Sequence, residues 1–300
     1  MTERKSRPTD SVCVETYTEL EKFIGGFAAG HLNLLIVVGR AGTAKSQTVR
    51  QAVEGRACWI ESNATAFGIY SKLFEHRDEL VVIDDVDALY SDSTAVRLLK
   101  CLCQTDPVKN VAWHSAAAGA MGIPREFQTQ SRVCIIANDW KDLNAHTAAV
   151  QDRGHLLFFE PNSEEVHRKV AEWFWDQQVF DWFADHLHLI PQLSMRHYIR
   201  AFERKRTGID WVKTILSGTI PEKALLVARI KGDESYKEER DRIAAFRDAG
   251  GGGKTTWYKW TKRIGTPESE SLHMKLKHNE PPLPSETKQV PQLRVVKGLG

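Results

Sequence analysis

Five nearly continuous apolar runs divide the first half of the chain: "LNLLIVVG" (32–39), "ACWIES" (57–62), "ELVVIDDVD" (79–87), "RVCIIAND" (132–139) and "HLLFFEP" (155–161). Short apolar runs bounded by polar or turn residues read as strands, and their lack of alternation marks strands buried on both faces. Helical patterns lie between them: "TYTELEKFIGGFAAG", "KSQTVRQAV", "ATAFGIYSKLFEH", "STAVRLLKCLCQ" and a segment near 143–152. The third of these sets Phe67, Tyr70, Leu73 and Phe74 on one helix face. Strands alternating with helices predict an α/β fold, with a parallel five-stranded sheet over residues 15–162. From Ser163 the pattern turns all-helical, through "SEEVHRKVAEWFWDQ", "QVFDWFADHLHL" and "SMRHYIRAFERKR". Serine N-caps open the first and the third. This gives a small helical domain at 163–208, a further helical section at 209–264, and disordered termini at 1–14 and 265–300. The aromatic cluster Trp173, Phe174, Trp175, Phe180, Trp182 and Phe183 reads as the helical domain's core.

Composition adds little to this until it is read by region. Hydrophobic content of 42% with 27% charge is that of a water-soluble globular chain. No apolar run approaches the ~18 residues of a membrane span. The polar start "MTERKSRPTDS" has no signal-peptide core, and the five cysteines fall largely in apolar or helical segments, as in a cytoplasmic protein. The net charge is only +2, but from Lys254 onward nine Lys/Arg face four Glu. That section is basic, as a partner of polyanions would be.

The first apolar run leads into "GRAGTAKSQ", residues 39–47. Phosphate-binding loops need small residues whose backbone N–H groups wrap the phosphates, a Lys for the outer phosphates and a hydroxyl for Mg²⁺. Gly39, Arg40, Ala41, Gly42, Thr43, Ala44, Lys45, Ser46 and Gln47 supply this pattern between a strand and a helix N-terminus, which favours anions. Ala44 stands where the usual motif has glycine; the expectation is that the backbone is already entering the helix there and tolerates a methyl. The variant "GTAKSQ" is similar to the loop of the minichromosome maintenance helicases. A second Gly-Lys-Thr stretch, "GGGGKTT" (250–256), follows a charged helix instead of a strand and lacks that context.

A Mg²⁺ carboxylate is expected at the end of a neighbouring buried strand, and "LVVIDDVD" supplies Asp84 with Asp85 next to it. With these residues the chain resembles the AAA+ ATPases, and the resemblance implies further roles in order along residues 25–205. Asp85 would polarise the attacking water, one methylene shorter than the usual Glu. Asn138, closing "VCIIAND", would be the polar sensor. Arg153, before "HLLFF", would act on a neighbouring subunit's site, and Arg196 in "LSMRHYIRA" would be the second sensor, from a helical lid at 163–208. Mg-ATP as cofactor and a homo-oligomer follow from the same resemblance.

Two additions bear on the partner. The insert "VAWHSAAAGAMGIPREFQTQSR" could set Pro124, Arg125 and Phe127 on a pore or subunit face, or be a plain connection. "KEERDRIAAFRDAGGGGKTTWYKWTKRI" (237–264) resembles a helix-turn-helix, with Lys254, Thr255, Trp257, Tyr258, Lys259, Lys262 and Arg263 as candidate DNA contacts, though its four-glycine turn is longer than usual. The resulting expectation is a DNA-associated motor or loader in replication or transposition. A protein-remodelling chaperone with a client protein and a slowly hydrolysing nucleotide-gated scaffold are the alternatives. No metal site other than nucleotide-bound Mg²⁺ is expected.

Overall fold

The computed structural model describes residues 8, 10–61, 65–86, 93–114, 122–139, 150 and 152–264, which form two compact units, Met1–Val166 and His167–Gly300. The first unit carries strands β1 (Val12–Val14), β2 (Leu34–Val38), β3 (Ala57–Glu61), β4 (Leu80–Asp84), β5 (Lys109–Ala112), β6 (Glu126–Thr129), β7 (Val133–Ala137) and β8 (His155–Phe159). Its helices are α1 (Tyr17–Ala28), α2 (Lys45–Val53), α3 (Ala66–Glu75) and α4 (Ser93–Leu102). The helix expected near 143–152 lies largely outside the described residues.

The main sheet has six strands in the order β1-β8-β2-β7-β4-β3, all parallel, where five were expected. The sixth is β1, inside the segment 1–14 assigned to disorder. Its three residues are too few for a sequence signal, and it is held by pairing Val12–Val14 with Leu157–Phe159. β2 and β7 are buried at every position, as their unbroken apolar runs require, because both sheet faces are covered there. These neighbours send their onward connections in opposite directions, β2 to β3 and β7 to β8, which opens a crevice beyond their carboxyl ends.

The insert before β7 is an antiparallel hairpin, β5 with β6, and Phe127 on it is buried instead of facing a pore or subunit surface. The alternation of "EFQT" points Phe127 inward, where its ring meets Tyr70 at 5.4 Å and Phe74 at 5.5 Å. The Tyr70 hydroxyl donates to Pro124 O at 2.8 Å, so α3 holds the hairpin through both apolar and polar contacts.

The second unit takes in α5 (Ser163–Val170) from His167 on, with α6 (Gln177–His186), α7 (Met195–Arg206), α8 (Trp211–Thr219), α9 (Glu222–Gly232), α10 (Glu239–Asp248) and α11 (Lys254–Ile264). The helical lid and the extension expected as separate pieces thus lie in one unit, with α9 against both α10 and α11. Phe174, Phe180, Phe183 and Tyr198 form its aromatic core. His167 is fully buried among them, stacked on Phe180 at 3.9 Å, with Nδ1 2.7 Å from the Tyr198 hydroxyl.

Candidate functional site

The loop 39–44 leaves the carboxyl end of β2 in the crevice between β8 and β7. It is held from three directions. Gly39 N–H donates to Ala137 O at 3.1 Å, and a Cβ on Gly39 would lie 2.5 Å from Phe159 O, so the first position admits only glycine. Arg40 Nη2 donates to Pro161 O at 3.2 Å, and burial lowers the guanidinium's pKa. The Tyr17 hydroxyl, on α1, donates to Thr43 O at 3.0 Å, while its ring meets Phe159 edge-on at 5.1 Å. Thr43 is itself fully buried, its hydroxyl donating to Arg40 O at 3.0 Å. Tyr17 was missed in the sequence because it stands 26 residues from its partner and carries no motif.

Gly42 takes φ +79° and Ala44 takes φ +59°, ψ +19°, both left-handed. The expectation that the backbone has already entered the helix at Ala44 is therefore wrong. The helix begins at Lys45, and Ala44 holds the left-handed turn that glycine adopts without strain. Ala41 and Gln47 are exposed on the two sides of this turn.

Four residues named from the sequence then meet in two pairs. The buried Lys45 ammonium donates to Gly39 O, to Arg40 O at 2.9 Å and to Asn138 Oδ1 at 3.3 Å. Asn138 follows the carboxyl end of β7, so this contact joins the loop to the neighbouring strand. The Ser46 hydroxyl lies close enough to the Asp84 carboxyl, ending β4, to favour its ionised form. Burial raises the Asp84 carboxyl's pKa, and Asp85 and Glu61 push in the same direction; Ser46 and Arg50 oppose them. Asp85 is exposed, has φ +53° and donates its N–H to Ile136 O at 3.1 Å. A hydroxyl and a carboxylate are hard oxygen donors of the kind Mg²⁺ takes. Among the described residues no three His, Cys, Asp or Glu cluster as a metal cage.

Arg153 does not join them. It lies two residues before β8, whose His155 pairs with Leu35, and Leu35 precedes Gly39 by four residues. Arg153 therefore lies before the amino end of β8, whose first residue is itself about 13 Å along the strand from the loop. It is exposed, and Nη1 donates to Lys100 O at 3.0 Å. Arg196 is in the other unit, exposed in the first turn of α7, where its N–H donates to the Ser194 hydroxyl cap at 3.3 Å.

On α11 the candidate DNA contacts divide. Trp257 is not on the surface: it is fully buried, meets Phe246 at 5.3 Å and donates from Nε1 to Glu239 Oε1 at 2.6 Å. It pins α11 to α10 because the helix needs an apolar side and Trp is its largest apolar residue. Lys254, Thr255, Tyr258, Lys259 and Lys262 are exposed, with the Lys254 ammonium 5.9 Å from the Tyr258 ring centroid. The Arg263 side chain lies outside the described ones. The four-glycine turn is tightly fitted: Gly250 and Gly252 have φ +78° and +112°, and a Cβ on Gly251 would strike the Phe246 ring.

No family model matches the chain. An uncharacterized 36.7 kDa protein from the nrdC-mobD intergenic region of Enterobacteria phage T4 is 29% identical over 126 residues, which is 38% of each chain. The chain thus matches well under half the length of that curated relative. Among solved structures, Cdc6p from Pyrobaculum aerophilum aligns with 87% of both chains at 14% identity and a TM-score of 0.41. A DNA replication initiation factor aligns over 85% of this chain and 84% of its own at 13% identity and TM-score 0.39. NtrX from Brucella abortus in complex with ATP aligns over 84% and 69% at 12% identity and TM-score 0.42. At these values the functional reading rests on the site itself.

Proposed function

We propose that the chain is an ATPase of the AAA+ type that binds Mg-ATP at the loop 39–47, works as a homo-oligomer and acts on DNA. The observation that carries the reading is the convergence of Lys45 with Asn138 and of Ser46 with Asp84 at the carboxyl end of one sheet. Residues far apart in sequence meet there, and they are of the types that phosphoryl transfer uses. The loop N–H groups and the Lys45 ammonium would hold the phosphates, and Ser46 with Asp84 would hold Mg²⁺. The cation, when bound, draws charge off the phosphate oxygens. Asp85 would accept a hydrogen bond and then a proton from the attacking water, and Asn138 would orient that water. Arg153, at the far end of its own sheet, would serve a neighbouring subunit's loop.

DNA is supported by the exposed face of α11, where Lys254, Tyr258 and Lys262 follow at helical spacing with Thr255 and Lys259 beside them. α11 contains no acidic residue and carries Lys254, Lys259, Lys262 and Arg263. A protein client has less support, since the buried Phe127 offers no gripping surface. The nucleotide-gated scaffold keeps one specific observation: Asp85 is short, and φ +53° turns its backbone off the line of β4.

The test is ATP turnover with and without duplex DNA, for wild type, Arg153→Ala, Asp85→Asn and an equimolar mixture of the two variants. Arg153→Ala should lose on the order of 10³-fold in turnover while still binding ATP. The mixture should regain part of it, because mixed interfaces pair an intact loop with an intact arginine. A turnover unchanged by DNA, with no DNA retention at low salt, rules out the DNA role. Absence of Mg-ATP binding removes the whole reading.

A further inference from the structure

The first turns of α2 present two side chains, Ser46 and Arg50, four residues apart and so on one helix face. Beneath them β3 and β4 end side by side, with Glu61 in register with Asp84. Paired residues in neighbouring parallel strands point to the same sheet face, about 4.8 Å apart. Ser46 thus stands beside Asp84, while Arg50 Nη2 bonds Glu61 Oε2 at 2.6 Å. The Arg50 guanidinium also lies 3.8 Å over the Trp59 ring, two residues back on the same face of β3. Arg50 is thus clamped both at the edge and on the face of its planar group. Such a half-exposed ion pair stabilises a fold very little, so stability does not account for this arrangement.

We propose that Arg50 and Glu61 are positioning residues for the nucleotide's divalent cation: Glu61 accepts from a water on that cation beside Asp84, and Arg50 holds the Glu61 carboxylate in place. The inference rests on the Mg-nucleotide reading above. Mg²⁺ gives up its water reluctantly and keeps several when held by one carboxylate and phosphates, and those waters need acceptors. A carboxylate has about four lone-pair sites, so the Arg50 bond leaves Glu61 with acceptor capacity. Groups that hold a cation's own ligands commonly contribute about 10- to 100-fold to its affinity. Arginine suits the holding role because its fork can bond a carboxylate while its face stacks on an indole, which lysine cannot do.

The experiment uses the full chain and a fluorescent ATP analogue, with nucleotide affinity measured in EDTA and across a Mg²⁺ titration. Glu61→Gln should raise the half-saturating Mg²⁺ concentration by about 10-fold and leave the affinity in EDTA unchanged. Arg50→Gln should shift it in the same direction by less, Arg50→Lys should not restore it, and the double variant should be no worse than Glu61→Gln alone. Both side chains are half exposed, so these variants keep the fold, and their melting temperatures check that. The inference is overturned if Glu61→Gln shifts neither quantity, or shifts binding equally with and without Mg²⁺. A wild type that binds no nucleotide, or binds it without regard to Mg²⁺, overturns the parent reading instead.

Discussion

The two ends of the parallel sheet use charge in opposite ways. At the carboxyl end, charged groups are gathered near one another: Lys45 against loop carbonyls and Asn138, Asp84 among Ser46, Asp85, Glu61 and Arg50. At the amino end, Arg56, Arg153 and Lys109 each bond a carbonyl or amide of their own fold. Arg56 donates to Val53 O at 3.2 Å and so covers the last turn of α2, where cations suit the helix dipole. Arg153 does the same at the end of α4 through Lys100 O. Lys109, fully buried, reaches Asn33 Oδ1 at 2.9 Å and Ser131 O, and burial lowers its pKa. On the proposed reading, the difference separates residues that would hold a ligand from Arg56 and Lys109, which close the fold.

Three substitutions sharpen or break that contrast. The largest effect is expected for Asp84→Asn, which should weaken Mg²⁺-dependent nucleotide binding by at least ~100-fold, beyond the range for groups that touch only the cation's waters. Its effect on stability should be opposite in sign. Because the folded carboxyl has a raised pKa, its ionisation opposes folding increasingly as pH climbs from the unfolded value near ~3.9 through the folded one. Asparagine removes that opposition, so the nucleotide-free variant should melt higher than wild type at pH 7.5 in calorimetry. A lower melting temperature would break the contrast. Next, Lys109→Ala should destabilise by about 3 kcal/mol, through two acceptors left without a donor and a new cavity, and leave nucleotide affinity intact. Melting should fall by roughly 6–12 °C for a unit of this size. The smallest effect belongs to Ala44→Gly. Relief of about 1 kcal/mol of left-handed strain is offset by roughly 0.4–1 kcal/mol of unfolded-state entropy, so chemical denaturation should move by less than about 0.5 kcal/mol.

The fold was legible where one segment carried its own signal. β2 and β7 announce themselves because burial on both faces leaves no polar position in "LLIVV" or "VCIIA". The loop residues and Asp84 were legible because small residues leading into Lys and Ser, set between a strand and a helix, carry the chemistry of phosphate binding in one unbroken segment. The rest depended on partners distant in the chain. β1 exists through β8, and the paired β5 and β6 are only short, weakly patterned strands. The alternation in "EFQT" could have placed Phe127 inside, and the apolar side of α11 could have done so for Trp257. Residue type alone instead makes Trp257 a candidate DNA contact and leaves Phe127 between an exposed face and a plain connection. Tyr17, Arg50 and Glu61 had no sequence signal at all, because their value lies in contacts between elements.

The absence of room beside Gly39 has a consequence for anyone who diversifies this protein. Phe159 O occupies the volume that any side chain at 39 would need, and β8 cannot retreat without leaving β1 and β2. A randomised pool of the loop should therefore return glycine at 39 even under selection for expression alone, with no nucleotide in the screen. The exposed positions 41 and 47 should drift freely in the same pool, so sequencing its survivors would separate what the scaffold forbids from what the chemistry demands.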